Sequence, residues 1–116
     1  MDAKQLELAG RNRAADYLSH LGLEIREHSF GSANGEIDII AEDGDTLVFA
    51  AARTRCASWA GHPIPILAQD QLRALRTLSL RYLAESDEVH HRFRFDAISV
   101  LWDDRRPDLL HVRDVR

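Results

Sequence analysis

The stretch that most constrains this chain is the unbroken apolar run Leu47-Val48-Phe49-Ala50-Ala51-Ala52, together with the turn that leads into it. Side chains alternate across a strand, so a strand that is apolar at every position has both faces covered. Such a strand belongs in the middle of a sheet. The segment before it, Gly35-Glu36-Ile37-Asp38-Ile39-Ile40-Ala41, ends in Glu42-Asp43-Gly44-Asp45. An Asp-Gly pair between two apolar runs signals a hairpin. Residues 35–55 therefore predict two antiparallel strands joined by a tight turn. Strand parity puts Glu36 and Asp38 on one face of the first strand, and Ala51 and Arg53 on one face of the second.

The rest of the chain supplies what covers that sheet. Gly10, Ala14, Tyr17, Leu18 and Leu21 form one helical stripe, which predicts a helix over 4–21 with Gly22 as its C-cap. Residues 23–30 alternate as a strand, and residues 31–35 turn into the hairpin. Residues 56–65 read as a loop by their Gly, Pro and Ser content, with Cys56 in the loop and Trp59 expected to pack on the loop or on a partner chain rather than to stack on a nucleic-acid base. A second helix is predicted over 66–84. Leu72, Leu75, Leu78 and Tyr82 form its buried stripe, while Arg73, Arg76 and Arg81 lie off it. A polar connection at 87–91 precedes a strand at 94–100, in which Asp96 is expected to pair with a nearby Arg or cap a turn. A turn at 103–107 leads to a short last strand at 109–112. The order helix, three strands, helix, two strands predicts an α/β domain with a mixed central sheet of about five strands flanked by helices.

At 116 residues the chain makes one domain, 1–116. No apolar stretch approaches the ~20 residues of a membrane span, and the N-terminus lacks the pattern of a signal peptide. A cytoplasmic protein without a membrane partner is expected. The lone Cys56 forms no internal disulfide. His28 has no second ligand at metal-binding spacing, and adjacent His90 and His91 cannot chelate one ion from a regular strand or helix. Neither a phosphate-binding Gly loop nor a nucleophile elbow is present. The net charge of −4 does not favour nucleic acid. Its distribution is uneven: residues 1–45 carry −6, residues 46–82 carry +4 and residues 83–116 carry −2. The basic segment, with Arg53, Arg55, Arg73 and Arg76, is either a phosphate-facing patch or a solvated helix face.

Gly35-Glu36-Ile37-Asp38, the following hairpin and Arg94-Phe95-Asp96 resemble the YraN-like family, small bacterial proteins similar to archaeal Holliday junction resolvases. The first helix matches as well, through Gly10, Ala14 and Tyr17-Leu18. The resemblance covers nearly the whole chain. It implies a restriction-endonuclease-like (tRNA endonuclease-like) three-layer core. It also implies a metal-dependent nuclease site: a Glu on the first helix, the Asp of Gly-Glu-Ile-Asp, a Glu and a Lys on the central strand, and a Lys on the second helix. Those positions fall on Arg11, Asp38, Ala51, Arg53 and Gln71, so one of the five is kept.

Three functions follow. The leading one is a catalytically degenerate nuclease-fold protein that still binds nucleic acid weakly, through Arg53, Arg55, Arg73 and Arg76. No cofactor is expected, and Asp38 is left as a weak or absent metal site. Branched or duplex DNA is the expected partner, and a homodimer is an open alternative. The second function is a protein-interaction or dimerisation module. The third is an active Mg²⁺-dependent endonuclease using Asp38 and Glu36.

Overall fold

The computed structural model describes residues 1–32, 35–56, 67–89, 92–103 and 106–115. Its elements are α1 (Ala3–His20), β1 (Glu24–Ser32), β2 (Gly35–Asp43), β3 (Thr46–Cys56), α2 (Gln69–Glu85), β4 (Arg92–Trp102) and β5 (Asp108–Val112). The helix α1 starts where its backbone donors find partners. The Gln5 N–H donates to the Asp2 carboxylate, and the Asp2 N–H donates to Gln5 Oε1, a reciprocal capping box. It stops before Gly22, whose φ of 98° is the left-handed conformation that glycine adopts without steric cost. Gly10, Ala14, Ala15 and Leu18 form its buried face. Leu21, placed on that stripe by spacing, is 55% exposed, because the helix has ended one residue earlier.

The five strands lie in the order β1-β2-β3-β4-β5. Only β3 and β4 run parallel, and α2 makes the crossover between them. The central place of β3 explains its composition. Val48 and Ala50 enter a core with Ala14 and Leu18 of α1. Leu47 and Phe49 enter a second core, on the other face of the sheet, with Leu72 and Leu75 of α2. The sheet is thus sandwiched between two helices, and full burial of a side chain such as Phe49 contributes roughly 1.5–3 kcal/mol.

Boundaries move where pairing extends a strand. Cys56, read as a loop residue, ends β3, because it still pairs with Trp102. The strand β1 continues to Ser32, paired with Gly35. The strand β4 runs from Arg92 to Trp102 along the full length of β3. The expectations for residues 57–65, Trp59 included, and for His90 and His91 lie outside the described residues.

One part of the core is polar. Asp96 is fully buried and accepts from Arg94 Nε at 3.0 Å and from the Asp114 backbone N–H at 3.0 Å, with His111 Nε2 at 2.8 Å. Tyr17 Oη lies 3.0 Å from His111 Nδ1, and Arg94 Nη1 donates to Asp43 at 2.9 Å. The expected Asp96–Arg pair is present, within a network that ties α1, β2, β4 and β5 together. Every buried side-chain polar atom among the described residues has a hydrogen-bond partner.

Candidate functional site

The site begins where two strands part. Pairing of β2 with β3 runs from Asp43↔Thr46 to Ile39↔Ala50 and goes no further. Beyond that point β2 stays with β1, through Ile37↔Phe30 and Glu36↔Gly31. Asp38 sits at the divergence. Its Oδ2 accepts the Ala52 N–H at 2.8 Å, so the carboxylate satisfies a donor that the ladder no longer pairs. The same oxygen accepts from Arg53 Nη1 at 3.3 Å. Arg53 Nη1 also donates to the Ala52 carbonyl at 3.1 Å, so the side chain folds back along its own strand.

The helix α1 delivers a second cation. Gly10 lies directly against Thr54, and a Cβ at Gly10 would collide with the Thr54 side chain. That close approach brings the next residue, Arg11, over β2. Its Nη1 donates to Glu36 Oε1 at 3.3 Å. Arg11 is therefore a half-buried partner in the cleft.

Two cavities adjoin at Asp38. One, of about 370 Å³, lies beside α1 and is lined by Lys4, Leu8, Arg11 and Ala52. The other, of about 340 Å³, lies beside α2 and is lined by Ala51, Arg53, Gln71, Leu75 and Leu78. Glu7, Glu36 and Asp38 line both. The structure thus brings Arg11, Glu36, Asp38, Ala51, Arg53 and Gln71 together, although they come from four elements. Gln71 also closes the start of α2, its Oε1 accepting the Ala68 N–H at 2.9 Å.

Burial pushes the Asp38 carboxyl above its usual range. The Ala52 N–H and the guanidiniums of Arg53 and Arg11 act in the opposite direction and do not fully offset it. A cation site needs several oxygen ligands converging on one point. Among the described residues no three of His, Cys, Asp and Glu are placed to hold a metal. Ala51 offers no side-chain oxygen, Asp38 is engaged by Arg53, and Glu36 is engaged by Arg11. These residues do not fit Mg²⁺.

The other arginines stand apart. Arg55, Arg73 and Arg76 are exposed, line neither cavity, and have no ion pair among the described residues. Arg53 does not join them in one open patch, because Asp38 holds it. Glu7, which borders both cavities, matches no motif in the sequence. Its spacing of four residues from Arg11 on one helix face was the available signal. His111 was equally unmarked. An isolated His in an alternating strand carries no sign of a partner elsewhere in the chain.

A mixed five-stranded sheet between two helices, with an acidic motif where two strands part, defines a small α/β protein compatible with a three-layer nuclease-like core. Residues 10–100 match the uncharacterised protein family UPF0102, and the chain belongs to that family. A UPF0102 protein of Rhodococcus opacus (strain B4) is 36% identical over 106 residues, 90% of each chain. One from Beutenbergia cavernae is 38% identical over 92 residues, covering 79% of this chain and 78% of its own. One from Geobacter metallireducens is 32% identical over 109 residues, covering 94% and 89% respectively. The family is the one that the resemblance to YraN-like proteins implies. Among the described residues no helix is long and apolar enough to cross a membrane.

Proposed function

We propose that this is a catalytically degenerate nuclease-fold protein that binds nucleic acid weakly, without sequence preference and without cutting it. The observation that carries the reading is the Arg53–Asp38 pair. Where a metal nuclease would gather carboxylates around a cation, this cleft sets a guanidinium against the one retained Asp. Arg11 does the same to Glu36. A guanidinium stays protonated at any physiological pH, so it cannot serve as a base, and its planar fork does not reproduce the point charge of Lys. In this reading, with Ala51 in place of a carboxylate ligand and both Asp38 and Glu36 paired to guanidiniums, no metal-activated water is available to attack a phosphodiester.

Binding is a separate matter. Arg55, Arg73 and Arg76 are exposed cations without competing carboxylate partners among the described residues, and these contact phosphate in this reading. The net charge of −4 keeps affinity low. The test is a gel-shift and cleavage assay on branched and duplex DNA with Mg²⁺. A shift at low salt that fades steeply with added salt, with no cleavage, is expected. Cleavage lost in Asp38→Asn would overturn the degenerate reading and restore the endonuclease. No shift at low salt would favour the interaction module, a reading that the neutralised cleft also supports.

A further inference from the structure

We propose that the cavity beside α2 binds an α-ammonium group whose carbon also carries a short aliphatic side chain, the chemistry that a free amino acid such as leucine shares with the N-terminus of a peptide. The cavity, of about 340 Å³, combines two unlike linings. One is apolar: Leu67, Leu75 and Leu78, with Ala51. Leu78 reaches over the start of β2, since a Cβ on Gly35 would meet its Cδ1 at 3.8 Å. The other is polar: Glu7, Glu36, Asp38, Arg53 and Gln71. An aliphatic surface beside a few polar groups is the make-up of a small-molecule site.

Charge sets the sign of the ligand. The pairs Arg53–Asp38 and Arg11–Glu36 cancel within the cleft. Glu7 adds one carboxylate more, and Lys4 borders only the adjoining cavity. The surplus beside α2 is negative, so the group it takes is positive. The pairs also leave acceptors open. Arg53 and the Ala52 N–H both use Asp38 Oδ2, and Arg11 uses Glu36 Oε1. Among the described residues, Asp38 Oδ1, Glu36 Oε2 and the Glu7 carboxylate accept no hydrogen bond. A metal would need these oxygens to converge at about 2.1 Å, which pulls both carboxylates off their guanidiniums. An ammonium has three N–H donors and bonds at about 2.9 Å, so it can use the open oxygens and leave both pairs in place.

The remaining donors suit the atom next to the ammonium carbon. Gln71 Oε1 is taken by the Ala68 N–H, which leaves the Nε2 amide able to donate, and Arg53 uses Nη1 alone. Both line the same cavity and can donate to a carbonyl or carboxylate oxygen. Ammonium, carbonyl and aliphatic group on one carbon answer the three features together. Arg55, Arg73 and Arg76 do not line this cavity, so the inference stands whether or not they meet nucleic acid.

The full chain, labelled with nitrogen-15, is titrated by NMR with L-leucinamide at about pH 6.5, where an α-ammonium is charged. Saturable shifts of the Ala52 N–H and of the Gln71 side-chain amide are expected, with a Kd of about 1 mM. N-acetyl-L-leucinamide, which lacks the charge, and glycinamide, which lacks the side chain, should each bind about tenfold more weakly or worse. Glu7→Gln and Leu78→Ala should each weaken leucinamide by a similar factor. L-Leucine separates the two sources: binding as tight as that of leucinamide assigns the site to the free amino acid, and weaker binding assigns it to a peptide N-terminus. The ligand series uses the unmodified chain, so it decides even where a variant fails to fold. No saturable shift with leucinamide or leucine, N-acetyl-leucinamide or glycinamide binding as tightly as leucinamide, or binding indifferent to both substitutions would each overturn the proposal.

Discussion

Arg53 reaches Asp38 at 3.3 Å, at the point where β2 and β3 stop pairing. The Asp is already fixed there by the Ala52 N–H, so the guanidinium meets a carboxylate with one defined orientation. The pair shares the cleft with Arg11–Glu36, also at 3.3 Å, and together they leave it balanced in charge at its centre. An incoming metal cation would have to displace two guanidiniums, and an incoming phosphate would face two carboxylates.

Asp38→Asn should raise stability at neutral pH. Burial holds the Asp38 pKa above its ordinary value of 3.8, so folding favours the protonated form. That contribution is fully present below the ordinary value and is lost as pH rises through the raised one. The amide keeps an oxygen for Ala52 and removes the buried charge. A gain of roughly 0.5–1 kcal/mol is expected at pH 7, shrinking toward zero near pH 4. Thermal unfolding at the two pH values checks it, and a variant less stable than the parent at pH 7 would contradict it.

Calorimetric titration with Mg²⁺ or Mn²⁺ should show no tight, stoichiometric binding to the unmodified chain. Ala51→Glu with Arg53→Lys should still fold, since Ala51 borders a cavity of about 340 Å³ that can take the longer side chain. Little nuclease activity is expected from that variant, because Arg11 and Gln71 remain. Tight binding by the parent that disappears in Asp38→Asn would refute the metal-free cleft.

Replacing both Arg73 and Arg76 by Ala should flatten the dependence of log affinity on log salt by about two units, one for each phosphate contact. Arg53→Ala should change that slope far less, because Asp38 already neutralises the side chain. Equal slope changes at Arg53 and at the helix positions would place the nucleic acid in the cleft instead.

The network around Asp96 should dominate stability. Burial acts to raise the Asp96 pKa, but the hydrogen bonds from His111, Arg94 and the Asp114 backbone outweigh it, and the net direction is down. Its contribution is therefore present above the ordinary carboxylate value and lost as pH falls through the lowered one. Asp96→Asn removes the charge on which three donors converge and leaves Arg94 with Asp43 alone, which should cost roughly 1.5–3 kcal/mol, whereas Tyr17→Phe removes one hydrogen bond and should cost about 1 kcal/mol. Urea unfolding separates the two.

Gly10→Ala should destabilise by roughly 1–3 kcal/mol, since the new methyl meets the Thr54 side chain. Thr54→Gly in the same chain should recover part of that loss. A double-mutant cycle measures the coupling, and additive effects would show that α1 does not bear on β3 at this point.

The sequence by itself determined the elements and the middle of the sheet. Period-two alternation, the Asp-Gly turn and the continuous apolar run from Leu47 each act within a few residues, so β2, β3 and the central place of β3 were legible. The stripes of α1 and α2 were legible for the same reason, and Gly35-Glu36-Ile37-Asp38 marked the site. Only the tertiary structure decided what meets what. Arg11 and Glu36 are 25 positions apart, Arg94 and Asp43 are 51 apart, and Tyr17 and His111 are 94 apart. No local period encodes such pairs. They form only once the strand order is set and α1 lies against Thr54. The parting of β2 from β3 at Asp38 and the place of Glu7 between the cavities belong to the same class. Each depends on where a third element comes to rest, and local patterning carries no information about that.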